Sequence, residues 1–285
     1  MKRVLVLILA AAMLAGCANS VDSSADESTR DSASRDSATA DEAERFDPME
    51  MVMAMLATEP PTEPPTEPPT LDELAKARYD EILDSKASDY AQIEGIHAHN
   101  QLYGMQAGCE ALALTSALTA FGYELDDNDI VDDYLVYSDN FVTGYVGNPR
   151  RFYEGAGVYP PGMLRTAWNF IEDKDAKLYP FDTTGLELGD LYKFVDAGCP
   201  VLVWTTYDRS YPRIEQSYEY EGISYPWYSS EHCVCLFGYH LGDNEVKIAD
   251  SWGGVEKWED ASRFKDIYDD IGQFSMILMD VSDLV

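Results

Sequence analysis

The stretch that decides the fold is Gln101-Leu-Tyr-Gly-Met-Gln-Ala-Gly-Cys-Glu-Ala-Leu-Ala-Leu-Thr-Ser-Ala-Leu-Thr-Ala-Phe-Gly122. A polar loop leads to Cys109, and the residues after Glu110 are apolar on nearly every side until Gly122, which we expect to stop the helix. A helix that is apolar all round lies inside a domain. We therefore predict a buried helix with Cys109 at its N-terminus, where free N–H groups and the helix dipole favour a thiolate. The alternative is a small buried hydrophobe without chemistry.

The charge of the chain limits its partners. Its 285 residues contain 20 Lys+Arg and 52 Asp+Glu, for a formal net charge of −32. Nucleic acid and an anionic membrane surface would repel such a protein. The sequence therefore predicts a solubilised protein that binds neither.

The N-terminus has the pattern of an export signal. Lys2 and Arg3 precede an apolar run, 4–14, that is too short to span a bilayer comfortably. The run ends in Leu14-Ala-Gly-Cys17, which resembles the lipobox of bacterial lipoproteins. That resemblance implies a lipoprotein signal over residues 1–17 that is cleaved before Cys17, lipidation of Cys17, and an extracytoplasmic protein held to the bacterial cell membrane only through its lipid. An ordinary secretory signal with an incidental cysteine is the alternative.

A tether follows over residues 18–70. It is rich in Ser, Asp, Ala and Glu, a composition too polar and too charged to fold. Thr58-Glu-Pro-Pro is repeated three times before Thr70, which predicts an extended spacer of roughly 40 Å at about 3.1 Å per residue. No role is predicted for the methionine-rich patch at residues 49–56.

Residues 71–285 form the predicted folded domain. Thr70 and Glu73 fit a helix capping box. Further helices are expected at 126–137, 161–171, 187–197 and 258–270, and strands at 200–206, 232–239, 245–250 and 273–279. The segment 207–230 is expected to carry a small hairpin, and its aromatic residues either wall a binding subsite or belong to the core. Helices first and a mainly antiparallel sheet second predict an α+β fold.

Three side chains could complete a site around Cys109. A cysteine nucleophile needs an imidazole, and the imidazole needs a carboxylate or amide to orient it. His232 begins one strand of the predicted hairpin and Asp250 ends the other, so an antiparallel turn brings them to the same end of the sheet. Gln101 can supply a side-chain N–H to an oxyanion hole beside the backbone N–H of Cys109.

This order of residues is familiar. Gln101, Cys109, His232 and Asp250, with Asp250-Ser-Trp-Gly253 in place of Asn-Ser-Trp-Gly, resemble the papain-like cysteine peptidases. The resemblance implies a catalytic set of these four residues and a supporting Trp252 that packs over the His–Asp pair.

A closer resemblance is to the bacterial peptidase C39-like group, related to bacteriocin-leader peptidases. It covers most of residues 96–282 and is carried by motifs in a fixed order: Asn100-Gln101, Gly108-Cys-Glu-Ala111, Val146-Gly-Asn-Pro149, Gly155-Ala-Gly-Val-Tyr-Pro160, Gly198-Cys-Pro-Val201 and the strand from His232. It implies a monomeric peptidase that cleaves a peptide or protein substrate through an acyl-thioester, without a cofactor. The usual transporter fusion is lacking, and Glu110 opposes thiolate formation unless its side chain points away.

Other interpretations remain open. The domain could be a catalytically inactive module for binding or adhesion at the cell surface. His232-Cys-Val-Cys235 lacks the spacing of a zinc site, so no metal is predicted. Cys199 could form a disulfide with Cys233 or Cys235, which share a strand face opposite His232. His97 and His99 either line the cleft or lie on the surface.

Overall fold

The computed structural model describes residues 68–220, 222–228 and 230–285. The predicted signal with Cys17, the methionine-rich patch and the tether as far as residue 67 lie outside these residues. Within the part described, no helix has both the length and the apolar character that crossing a membrane requires.

Five α-helices form in the part of the chain that the structure describes. They are α1 (Leu71–Asp84), α2 (Cys109–Thr119), α3 (Pro160–Lys174), α4 (Leu188–Asp196) and α5 (Ala261–Asp270). The capping box at the start of α1 is confirmed, because Thr70 N–H donates to Glu73 Oε2 at 2.8 Å and Glu73 N–H donates back to Thr70 Oγ1 at 3.3 Å. The predicted core helix is α2, in which Cys109–Leu118 are all buried.

The strands form one large sheet and two small ribbons. They are β1 (Tyr90–Gln92), β2 (Val146–Gly147), β3 (Gly155–Gly157), β4 (Leu178–Asp182), β5 (Val201–Thr206), β6 (Ile214–Tyr220), β7 (Ile223–Tyr228), β8 (Glu231–His240), β9 (Glu245–Asp250), β10 (Val255–Asp260) and β11 (Ser275–Asp280). The sheet order is β10-β9-β8-β5-β11-β4, with β1 added to β8, and each of these pairs is antiparallel. The predicted α+β class is confirmed. The small hairpin that is predicted within 207–230 is the separate ribbon β6–β7.

The two faces of the sheet are covered by different helices. Alternate residues of β8 point to opposite faces. Cys233 and Cys235 pack in the core cluster that contains α2, whereas Val234 and Leu236 pack in the second cluster, with Phe194 of α4 and Phe264 of α5. The sheet is therefore buried on both sides, and α2 lies on the face of Cys233.

Two predicted helices differ from the structure. The prediction for 258–270 is wrong over its first three residues, because Trp258 belongs to β10 and pairs with Lys247 of β9. Asp260 then accepts a hydrogen bond from Arg263 N–H and so starts α5. The prediction for 126–137 is also wrong in extent, since only Ile130–Tyr134 form one wide helical turn. In the first case strand pairing at the sheet edge overrides the helical sequence pattern.

Candidate active site

The loop before α2 places Cys109 at the first position of the helix. Gly108 packs so closely that an added Cβ would lie 2.3 Å from Cγ of Met105. Ala107 N–H donates to the carbonyl of Pro149 at 2.9 Å. The thiol of Cys109 is consequently held at the floor of a cleft with only 6% of the residue exposed.

His232 and Asp250 are in direct contact, as the predicted hairpin requires. His232 Nε2 lies 2.6 Å from Asp250 Oδ1, and both side chains are buried. Burial alone would raise the pKa of Asp250, but its contacts with His232 and Lys257 hold that pKa well below the usual range. An ionised carboxylate only accepts hydrogen bonds, so Nε2 carries the proton. Burial lowers the pKa of His232 while the bond to Asp250 opposes that effect, so the ring is neutral at neutral pH with its lone pair on Nδ1.

Two cations face the other oxygen of Asp250, and the sequence interpretation did not include them. Lys257 Nζ lies 2.9 Å from Oδ2 and Arg209 Nη2 lies 3.8 Å from it. Both cations also pair with Glu259: Lys257 Nζ lies 2.9 Å from its Oε1, and Arg209 Nε lies 2.8 Å from its Oε2. Lys257 reaches this point because it lies on β10 opposite Ile248, diagonal to Asp250. The sequence analysis gives Lys257 no role, and it directly precedes the segment 258–270 that is predicted as a helix.

Gln101 is buried beside the segment that follows Asp250. Its backbone N–H donates to the carbonyl of Ser251 at 3.0 Å, and Ser251 Oγ donates to Gln101 Oε1 at 2.6 Å. These bonds orient the amide, and Nε2 donates to the carbonyl of Gln106 at 3.2 Å. Gln101 and Cys109 line the same cleft.

Trp252 lies at the rim of the cleft with 37% of its surface exposed. Its backbone N–H donates to Asp250 Oδ1 at 2.9 Å, so the loop after β9 helps to hold the carboxylate. Its ring stacks on Tyr207 with 5.2 Å between centroids. In the described residues no ring contact joins Trp252 to His232.

The cleft brings four of the predicted residues together. Its volume is about 400 Å³, and its lining includes Gln101, Cys109, His232 and Trp252. Asp250 lies behind His232 and is fully buried. No hydrogen bond joins Cys109 to His232 among the described residues.

The thiol instead contacts Glu110, whose side chain does not point away. Cys109 Sγ donates to Glu110 Oε2 at 3.2 Å, and Val158 N–H donates to Oε1 at 2.7 Å. Burial raises the pKa of Glu110 to about 7. Burial also raises the pKa of Cys109 well above its usual range, and the nearby Glu110 and Glu231 carboxyls raise it further. The thiol is therefore protonated in this arrangement.

Glu231 is a second carboxyl that the sequence interpretation did not include. Ligand atoms of Cys109, Glu110 and Glu231 lie within 4.8 Å of one another, and they form the group in the described chain whose geometry could hold a metal ion. Oε1 of Glu231 is buried and has no hydrogen-bond partner. Burial, followed by the proximity of Glu110, raises the pKa of Glu231 well above its usual range. The sequence signal that could have identified Glu231 is its position directly before His232.

The remaining cysteines and histidines lie elsewhere. Cys199, Cys233 and Cys235 are free and buried, so the disulfide considered above is not formed. Cys199 packs in the core cluster on the other side of the sheet from Cys233 and Cys235. His97 and His99 line a different cavity. His99 Nδ1 lies 2.7 Å from Asp127 Oδ1.

Comparison with known proteins shows which family the chain matches. The model of the Peptidase_C39 like family matches residues 89–276. "Uncharacterized protein YvpB" of Bacillus subtilis is 24% identical over 223 residues, which cover 73% of this chain and 86% of that protein. The crystal structure of a C39-like peptidase from Bacillus anthracis is 25% identical, with a TM-score of 0.57 over 67% of this chain and 98% of its own. Xylellain, a cysteine protease from Xylella fastidiosa, is 10% identical to this chain, and the match covers 70% of this chain and 88% of the xylellain chain. Its TM-score of 0.35 is too low to support an argument.

Proposed function

Because the chain belongs to the Peptidase_C39 like family, we propose that it is a cysteine peptidase that hydrolyses peptide or related amide bonds through an acyl-thioester. The observation that carries this proposal is the neutral His232, oriented by Asp250 at 2.6 Å, in the wall of the cleft that holds Cys109. A neutral imidazole that is oriented by a carboxylate is the base that a cysteine nucleophile needs.

Each residue then has one role. Cys109 gives its proton to Nδ1 of His232, and its sulfur attacks the carbonyl carbon of the substrate. The backbone N–H of Cys109 and Nε2 of Gln101 stabilise the oxyanion. His232 returns the proton to the leaving amine as the C–N bond breaks, and water then hydrolyses the thioester to release the acid and restore the thiol. Asp250 fixes the tautomer of His232 throughout.

The proposed setting is outside the cytoplasm, with the protein acting as a monomer on peptides or proteins. Lipidation at Cys17 would anchor it to the membrane, and the net charge of −32 argues against nucleic acid as a partner. Expression of the full chain and of Cys17→Ala tests the anchor. We expect the wild type in the membrane fraction and the variant in the soluble fraction; equal partitioning would contradict lipidation.

The catalytic proposal is tested with peptide and cell-wall-peptide libraries. We expect turnover by the wild type and none by Cys109→Ala. Cys199→Ala is the matched control, since Cys199 is a buried thiol that does not line the cleft. Undiminished turnover by Cys109→Ala would refute the proposal.

A second candidate is a peptidase-like module that binds at the cell surface without turnover. It is favoured by one observation, the hydrogen bond from Cys109 to Glu110, which opposes the thiolate. This candidate predicts that iodoacetamide does not label Cys109 near neutral pH. Fast labelling that is lost in His232→Ala would exclude an inert thiol.

A further inference from the structure

We propose that the cleft selects a substrate side chain with a positive charge, that of lysine or arginine, and that Glu231 is the residue that recognises it. The inference rests on the proposed function, because it takes the Cys109 cleft to be the substrate site. It names the substrate class of that same site.

The position of Glu231 suits this role. It is the first residue of β8, directly before His232, and it pairs with Thr206 of β5. Its carboxyl lies within 4.8 Å of the sulfur of Cys109 and also lines the cleft. A side chain of a substrate bound at Cys109 therefore has Glu231 within reach.

One carboxyl oxygen of Glu231 also lacks a hydrogen-bond partner among the described residues. Its Oε1 is buried without a hydrogen bond, while the neighbouring carboxyl of Glu110 is occupied by Val158 N–H and the thiol. A buried acceptor without a donor destabilises the protein, and a bound ammonium or guanidinium would supply that donor. A bound cation would stabilise the ionised form of Glu231, which burial and Glu110 disfavour in the empty site, and an apolar side chain would leave Oε1 unpaired.

The charges around the cleft have one sign. Glu231 and Glu215 line it, and none of its described lining residues is a lysine or an arginine. The nearest cations of the network behind it, Arg209 and Lys257, are both paired with Glu259 and face Asp250. Glu215 has Arg213 Nη2 at 3.6 Å, whereas no ion pair to Glu231 is formed among the described residues. Glu231 is therefore the lining carboxyl that a cationic substrate group meets without a competing cation.

The walls of the cleft are aromatic. Five aromatic side chains line it: Phe152, Tyr207, Trp227, Tyr228 and Trp252. Aromatic faces attract cations through the negative charge of the ring face, and they also pack against the methylene stem of lysine or arginine. Carboxylates beside aromatic walls favour a long cationic side chain over a short or acidic one.

The same cation would assist the nucleophile. Glu110 and Glu231 both oppose ionisation of Cys109, so a positive charge bound at Glu231, whose carboxyl lies within 4.8 Å of the sulfur, offsets their effect. The binding of the preferred substrate is thereby coupled to formation of the thiolate.

The experiment uses the full chain and a cleavable peptide from the library screen. At each position flanking the scissile bond, lysine is compared with norleucine, which has a similar stem without the charge, and with glutamate. At one position we expect kcat/KM for lysine to exceed that for norleucine by roughly tenfold to a hundredfold, the range of a charge-assisted hydrogen bond. In Glu231→Gln this ratio is expected to fall to about one. In Glu219→Gln, which removes an exposed carboxylate of β6 outside the cleft lining, the ratio is expected to stay unchanged.

The outcomes separate the two proposals. Equal cleavage of lysine and norleucine peptides by the wild type, or an unchanged ratio in Glu231→Gln, overturns the inference and leaves the peptidase standing. Absence of Cys109-dependent cleavage of every peptide overturns both. If Glu231→Gln does not fold, Glu231→Asp takes its place: it keeps the charge but shortens the side chain, and a ratio that falls below that of the wild type supports the inference, whereas an unchanged ratio overturns it.

Discussion

Sγ of Cys109 donates a hydrogen bond to Oε2 of Glu110 at 3.2 Å, although the two residues are neighbours in the sequence at the start of a buried helix. The N-terminus of a helix normally favours a thiolate. Here burial and two carboxyls act against it, so the reactivity of Cys109 depends on the charge next to it.

Removing the charge of Glu110 should make Cys109 more reactive. Glu110→Gln keeps an oxygen for Val158 N–H but removes a negative charge beside the thiol. We expect alkylation of Cys109 by iodoacetamide at pH 7 to accelerate roughly tenfold, the effect of a decrease of about one unit in the pKa of the thiol. Mass spectrometry of the Cys109 peptide measures the rate. Glu172→Gln, an exposed residue of α3, is the control, and an equal acceleration there would contradict the explanation.

The same carboxyl should make stability depend on pH. The pKa of Glu110 is raised from 4.5 to about 7, so the folded state binds the proton more tightly than the unfolded state does. This contribution to stability is complete below pH 4.5 and is lost as pH rises through about 7; it amounts to roughly 3 kcal/mol if the whole shift is realised.

Urea unfolding at pH 4.5 and pH 8 tests this dependence. The wild type should lose more free energy of unfolding between these values than Glu110→Gln does. Other groups, including His232, whose lowered pKa acts in the opposite direction, titrate in both proteins, so the difference between them reports Glu110 together with its effect on the pKa of Glu231. Parallel pH profiles would show that Glu110 is not the origin.

Gln101 should act mainly on the chemical step. In Gln101→Ala we expect kcat to fall roughly hundredfold or more with a smaller change in KM, because an oxyanion donor acts in the transition state. Gln106→Ala is the matched control: it alters an exposed side chain at the cleft but keeps the backbone carbonyl that accepts from Gln101. A loss in Gln101→Ala confined to KM would contradict the oxyanion role.

Gly157 should tolerate no side chain because of Glu110. It has φ of +137°, and an added Cβ would lie 2.3 Å from Glu110 Oε1 and 2.6 Å from Cη2 of Trp227. Gly185 has φ of +90° with no atom within 4 Å of its added Cβ, so Gly185→Ala measures backbone strain alone. We expect Gly185→Ala to lower the free energy of unfolding by about 1–2 kcal/mol and Gly157→Ala by a further 1–3 kcal/mol or so. Equal losses in urea titrations would argue against the clash.

Local patterns were sufficient for much of the fold and for the contact between His232 and Asp250. The apolar run after Cys109 predicted α2, and the alternation on either side of a Gly-Asp-Asn turn predicted the hairpin β8–β9. An antiparallel hairpin returns to its starting end, so the contact of His232 with Asp250, 18 residues later, followed from that pattern.

Other parts of the site required distant segments to meet. Lys257 reaches Asp250 only because Val255–Asp260 pairs with β9 as an edge strand, a long-range pairing that no local pattern predicts. Glu231 approaches Glu110 because β8 passes beneath the start of α2, which neither segment encodes alone.

The sequence by itself determined the buried cysteine helix, the α+β order and the His232–Asp250 hairpin, because these depend on periodicity and turns within short stretches. Only the tertiary structure decided the direction of the Glu110 side chain, the cations behind Asp250 and the unpaired Oε1 of Glu231 in the cleft. Electrostatic effects of this kind depend on burial and on distances of a few ångströms between residues far apart in the chain, and these are set only when the helices pack against the sheet.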